Sequence, residues 1–208
     1  MNRPFAMPRG TSRVRRSVQL LGLAALLLVG YLTVASIGPD SRADAAKRSA
    51  ATAAAGPKTG TRQIRAGNSG LCLTVANTSK KGANGAGIQQ RACDPAKKTQ
   101  KFEIVPLQDE GHPLTYAIRP KWQAGWCWQT NGGEKNNVKI VQRKCDYDYD
   151  QIFIIQCGAP ADRCWIQTRS ALNGKCLNIP GQSKKSGVTV RLYDCKYRHQ
   201  TNMQFLIA

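Results

Sequence analysis

The chain has 208 residues, 31 basic and 12 acidic, for a net charge of +19; 41% are hydrophobic and 21% charged. Eight cysteines are too few for a miniature disulfide scaffold and too many for an ordinary cytosolic chain. The composition excludes collagen-like and polytopic membrane classes. Aromatic and branched apolar residues recurring through the second half exclude wholesale disorder, and no run of heptads supports a coiled coil.

In chain order, the first element is an export segment. Arg3, Arg9, Arg13, Arg15 and Arg16 precede an uncharged apolar stretch from Leu20 to Ile37. A basic flank before such a stretch directs the remainder of the chain outward. Ala43-Asp44-Ala45 offers small residues for cleavage. Residues 1–45 therefore read as a signal peptide or, uncleaved, as an N-terminal membrane-anchor helix; the domain is secreted in the first case and extracellular in both. Residues 46–60, rich in Ala, Thr, Lys, Gly and Pro, carry no large apolar side chain and read as a flexible linker, or as an arm that binds a partner. Six basic and two acidic residues lie in 1–45, so 25 basic and 10 acidic remain, a net of +15. Such a field attracts anionic polymers and surfaces, and export argues against nucleic acid.

Residues 61–208 hold three copies of one unit, at about 61–107, 114–156 and 164–208, each of about 45 residues. Each runs from an Ile through a Gly-containing turn to a Cys on an alternating strand. A polar loop, a β-branched strand ending near a second Cys, and a strand opening at Phe follow. The first Cys is Cys72, Cys127 or Cys176; the second, Cys93, Cys145 or Cys195, lies 21, 18 and 19 residues on. Phe102, Phe153 and Phe205 follow after 9, 8 and 10 residues. With no amphipathic helix, four short strands per unit predict an all-β fold of about twelve strands. Three copies that each bury one Phe point to a threefold barrel.

Taken together, the Cys72-Leu73, Cys127-Trp128 and Cys176-Leu177 pairs, the later Cys of each unit and the Gln-x-aromatic motif resemble the ricin B-type β-trefoil lectin domain. That motif reads Gln100-Lys101-Phe102 and Gln151-Ile152-Phe153, and degenerates to Met203-Gln204-Phe205; Phe stands where the family usually has Trp. The resemblance implies a β-trefoil over the whole folded part.

Eight Cys in an exported chain allow 105 pairings. The repeat selects Cys72–Cys93, Cys127–Cys145 and Cys176–Cys195, and leaves Cys157–Cys164 to close the short loop between units two and three. No CxxC occurs, and His112 and His199, the two histidines, stand apart from any Cys cluster, so neither a metal nor a cofactor is expected. No nucleophile motif supports an enzyme. Asp146, Asp148 and Asp150 read as a solvated acidic loop that balances Arg143 and Lys144.

The resemblance implies a sugar-binding acceptor two residues after the first Cys, a stacking ring two before the second, and polar contacts at the closing motif. The acceptor positions hold Thr74, Gln129 and Asn178, where the family has Asp. The ring positions hold Arg91, Arg143 and Tyr193, with Gln89 beside Arg91; the closing positions hold Gln100, Gln151 and Asn202. The third unit, with Asn178, Tyr193 and Asn202, is the best candidate site, while Arg91 and Arg143 suit an anionic group. Trp122, Trp126 and Trp128 read as a partly exposed patch. The expected partner is a glycan or anionic cell-wall polymer. The alternative is a protein-binding adaptor of a secreted, toxin-like complex, docking through the Trp patch or the N-terminal arm.

Overall fold

A computed structural model describes residues 55–76, 78, 83–108, 114–158, 163–169 and 175–208. The expected export segment, most of the linker, His112 and the tip of the Cys157–Cys164 loop lie outside the described residues.

Short apolar alternations become short strands. The first unit builds β1 (Gly60–Arg62), β2 (Ile64–Ala66), β3 (Cys72–Val75), β4 (Ile88–Arg91) and β5 (Phe102–Pro106). The second builds β6 (Thr115–Pro120), β7 (Trp126–Thr130), β8 (Ile140–Lys144) and β9 (Phe153–Cys157). The third builds β10 (Arg163–Thr168), β11 (Lys175–Asn178), β12 (Arg191–Asp194) and β13 (Phe205–Ile207). There is one strand beyond the expected twelve because the first is broken at Gln63, where β1 turns to β5 and β2 to β13.

This break closes a barrel. β5 pairs with β6, β6 with β9, β9 with β10 and β10 with β13, all antiparallel. The ring returns through β2 and β1, with Gln63 exchanging both backbone bonds with Ala208 at 3.2 Å. Among the described residues, β5, β6, β9, β10 and β13 are each paired on both sides. The hairpins β3–β4, β7–β8 and β11–β12 close over the barrel's apolar interior.

The core repeats three times. Phe102, Phe153 and Phe205 are fully buried; two residues on, Ile104, Ile155 and Ile207 join them, and Ile64, Ile118 and Ile166 come from the opening strands. Full burial of each such side chain stabilises by about 1.5–3 kcal/mol.

The hairpins interlock in a cycle. Gln142 receives a bond from Gly85 and donates to Ala86 O (2.9 and 2.8 Å). Leu192 does the same with Asn137 and Val138 (2.9 and 2.8 Å), and Gln90 with Gly187 and Val188 (2.8 and 2.9 Å). Each unit thus lays its hairpin loop against the next unit's second hairpin strand, and the third returns to the first. This cycle is the pseudo-threefold symmetry seen in backbone hydrogen bonds. The fold is an all-β trefoil.

All four expected disulfides are present: Cys72–Cys93, Cys127–Cys145, Cys176–Cys195 and Cys157–Cys164. The last joins directly opposed residues of β9 and β10.

Two expectations need correction. Trp128 does not belong to the expected patch, while Trp122 and Trp126 are partly exposed. Trp128 is fully buried, in the hairpin position that Leu73 and Leu177 occupy, edge-on to Phe102 and Phe153 at 4.9 and 6.5 Å. Trp122 packs against the same core and donates Nε1 to Gln142 Oε1 at 3.0 Å; Trp126 is half-buried. The barrel lies directly beneath β7, so the strand's inward positions become core. The end of the linker is also tied down: Ala55 exchanges backbone bonds with Cys157, and Pro57 is buried. Gly56 passes so close to Tyr116 that a Cβ would lie 2.3 Å from the phenolic oxygen.

Candidate functional site

Strand register explains why the candidate residues share a face. Cys176 stands opposite Tyr193, and Asn178 opposite Arg191. Cys72 stands opposite Arg91 and Thr74 opposite Gln89; Cys127 stands opposite Arg143 and Gln129 opposite Val141. Because successive side chains alternate, the residue two past the first Cys and the residue two before the second point the same way as the disulfide.

A 3₁₀ turn before each closing strand completes the face: Lys98–Gln100, Tyr149–Gln151 and Thr201–Met203. Its middle residue meets the hairpin. Thr74 donates to Thr99 (3.2 Å), Gln129 Nε2 donates to Asp150 Oδ2, and Asn202 Nδ2 donates to Ile179 O (3.1 Å). The last residue of the turn points inward. Gln100 accepts from Asp94 N and donates to Ala92 O, both at 2.8 Å. Gln151 accepts from Asp146 N at 3.1 Å and donates to Lys144 O and Gln129 Oε1 at 2.8 and 3.0 Å. Met203 is buried against Cys176 and Cys195. Gln100 and Gln151 are therefore internal braces rather than open ligand contacts. Thr99, which the sequence reading passed over, and Asp150, which it assigned to a solvated acidic loop, occupy the outward place. The signal was available: both sit three residues before the closing Phe, as Asn202 does.

The three faces now differ. In the first, Thr74, Thr78, Thr99, Arg91 and Lys97 line a pocket of about 360 Å³. Gln89 donates to Thr189 (3.4 Å) and accepts from Arg91 (3.2 Å), so it braces the guanidinium from behind. In the second, both ends of the Gln129 amide are engaged, by Asp150 and Gln151. Arg143 turns to Asn84 (3.4 Å) and Asn131 (3.1 Å), not to the acidic loop it was expected to balance. Within that loop Asp146 accepts from Asp148 N at 3.2 Å, and burial pushes the Asp150 carboxyl up.

The third face holds a pocket of about 390 Å³. Asn178 and Tyr193 come from the hairpin, and Gln200 and Asn202 from the closing turn. Gly181 and Gln182 close one side, both in the left-handed region (φ 60° and 51°). Asn202 is 4% exposed, and its Oδ1 is buried without a hydrogen-bond partner among the described residues. Tyr193 is 38% exposed and sits 5.8 Å from Tyr197, ring to ring.

Asn137 enters this pocket from the second unit and was not foreseen. Its backbone is left-handed (φ 71°); its N–H donates to Leu192 O (2.9 Å) and its carbonyl accepts from Arg191 Nη1 (2.8 Å). Next to it, Asn136 accepts from Lys175 at 3.0 Å and donates to Asp194 at 3.3 Å, while Lys175 pairs with Asp194. The bonds from Lys175 and Asn136 hold the Asp194 carboxyl below its usual range. No helix among the described residues is long and apolar enough to cross a membrane, and none of their His, Cys, Asp and Glu residues group in threes to hold a metal.

Residues 51–142 match the family model described as ricin-type beta-trefoil lectin domain-like. No curated protein matches the chain. A designed threefold-symmetric protein, ThreeFoil, superposes with a TM-score of 0.61 at 19% identity, over 71% of this chain and 97% of that one. A mosquitocidal holotoxin gives 0.60 at 13% identity over 72% of this chain, which spans only 17% of the toxin. The ricin B-like lectin of Macrolepiota procera, in complex with lactose, gives 0.55 at 14% identity, over 75% and 98%. At these identities the likeness is one of fold. The family match ends inside the second hairpin, and the third unit continues the same interlocked β-trefoil pattern.

Proposed function

We propose that the domain is an exported, non-catalytic glycan-binding module whose working site is the third-unit pocket. The observation that carries this is the meeting of a half-exposed Tyr193 ring with Asn178, Asn137, Gln200 and Asn202 around one cavity. A pyranose offers an apolar C–H face and a rim of hydroxyls. The ring takes the first, and amides, which both donate and accept, take the second. Among the described residues no carboxylate lines the pocket, so hydroxyl protons go to amide oxygens. Neutral hydrogen bonds are weaker than charged ones, so single-site affinity is modest. The lectin with lactose supports a sugar ligand. Four disulfides, at home in oxidising compartments, support export. The adaptor reading loses one of its three tryptophans, with Trp128 in the core.

The test is calorimetry against a panel of neutral oligosaccharides, lactose included. Tyr193→Ala should weaken binding at least tenfold, and Tyr193→Phe should retain most of it, with circular dichroism unchanged in both. Binding indifferent to Tyr193→Ala would refute the site. Co-purification of one secreted protein, insensitive to sugar, would favour the adaptor instead.

A further inference from the structure

The first-unit pocket has a chemistry opposite to that of the third. Arg91 and Lys97 line it with Thr74, Thr78 and Thr99, and no carboxylate among the described residues does. The Thr74 hydroxyl lies 3.2 Å from Thr99 Oγ1 and 3.4 Å from Val75 O, and both threonine hydroxyls border the cavity. Gln89, anchored on Thr189 of the third unit, holds one Arg91 nitrogen. A guanidinium has five N–H donors, so one bond to Gln89 leaves several for a ligand. Lys97 lies 3.8 Å from Asp94 in a solvent-exposed pair, a contact too weak to fix the ammonium. The other Asp94 oxygen accepts from Ala96 N at 2.9 Å, and Asp94 does not line the cavity.

We infer that this pocket is an oxyanion site, which takes a sulfate or phosphate ester on a glycan or anionic polymer rather than a neutral sugar. Guanidinium, ammonium and hydroxyl donors come from β4, the loop after it and the 3₁₀ turn. Donors converging from several directions suit a tetrahedral oxyanion, whereas a planar carboxylate is served by the guanidinium fork alone. Arg143, the pseudo-equivalent of Arg91, donates to Asn84 and Asn131 and does not line this pocket. The inference rests on the fold and this pocket, and stands whether or not the third pocket binds sugar.

The experiment is an amide-shift titration of the ¹⁵N-labelled folded chain with inorganic phosphate and, separately, inorganic sulfate. Galactose 6-phosphate and galactose 6-sulfate follow, to show which ester is preferred, with galactose as the neutral control. Saturable shifts centred on residues 74, 78 and 97–100 are expected. Arg91→Gln or Lys97→Ala should weaken them at least fivefold, the double variant at least twentyfold, and Tyr193→Ala should leave them unchanged. Both sites are exposed, so the variants should keep the native spectrum elsewhere. Non-saturating shifts spread over the basic surface, or titrations unaffected by the double variant, would mean an adventitious counter-ion only and overturn the inference. So would loss of the shifts in Tyr193→Ala, which would place the anion in the third pocket.

Discussion

Trp128 and Gln100 show how one residue's role depends on what lies beneath it. Trp128 fills, with a larger ring, the place Leu has in the other two units, and its Nε1 is buried without a partner among the described residues. Truncation to Ala removes a fully buried ring and leaves a cavity, so Trp128→Ala should lower stability by about 3–5 kcal/mol in denaturant unfolding. Gln100 joins Asp94 N to Ala92 O. Gln100→Ala should cost about 1–3 kcal/mol, because both groups lose their partner. The same variant should leave oligosaccharide affinity unchanged in calorimetry, since Gln100 lies in the first unit. Both positions were visible in the repeat. Trp128 follows a first Cys as Leu73 and Leu177 do, which marks it as core; its neighbours Trp122 and Trp126 suggested a patch only when read without that alignment.

Among elements, the loop between β7 and β8 matters most, because it carries Asn137 into the neighbouring unit's pocket. Asn137→Gly tests the side chain alone: glycine accepts the left-handed backbone at φ 71° without strain, so the docking is kept while the amide is lost. The expected result is threefold to tenfold weaker glycan binding with an unchanged melting temperature. The loop is also held by the Lys175–Asp194–Asn136 contacts. The folded-state pKa of Asp194 is depressed, so its contribution is present above the ordinary carboxylate pKa and is lost as pH falls through the lower, folded value. Glycan affinity should therefore hold at neutral pH and decline in strongly acidic buffer. Asp194→Asn should flatten that decline. Sequence spacing placed the loop on the surface but could not show which hairpin it leans on, since a contact between units has no local signature.

The whole molecule depends on its covalent closures and on its charge. Three disulfides each close a loop of 18–21 residues. Such a loop contributes about 3 kcal/mol in the chain-entropy model, so the three together supply on the order of 9 kcal/mol. That is comparable with the roughly 5–15 kcal/mol that a domain has in total. Reduction under native conditions should unfold the domain at 37 °C, as read by circular dichroism, with thiol alkylation and mass spectrometry confirming eight released cysteines.

The sequence by itself determined three cystine-bearing β units and their pairing, and its resemblance to the lectin family implied the trefoil. Strand alternation, turn residues and Cys-to-Cys intervals are written along the chain, and their triplication fixes which strands correspond. The resemblance to the lectin family pointed to Asn178, Tyr193 and Asn202, because it implies binding roles at fixed intervals from the cysteines and the closing Phe. Only the tertiary structure decided which outward side chains remain available. Gln129 and Arg143 are engaged, Arg91 is braced but open, and Asn137 is contributed by a neighbour. Availability is decided by hydrogen bonds made across strands, turns and units, and those partners meet only in the folded chain.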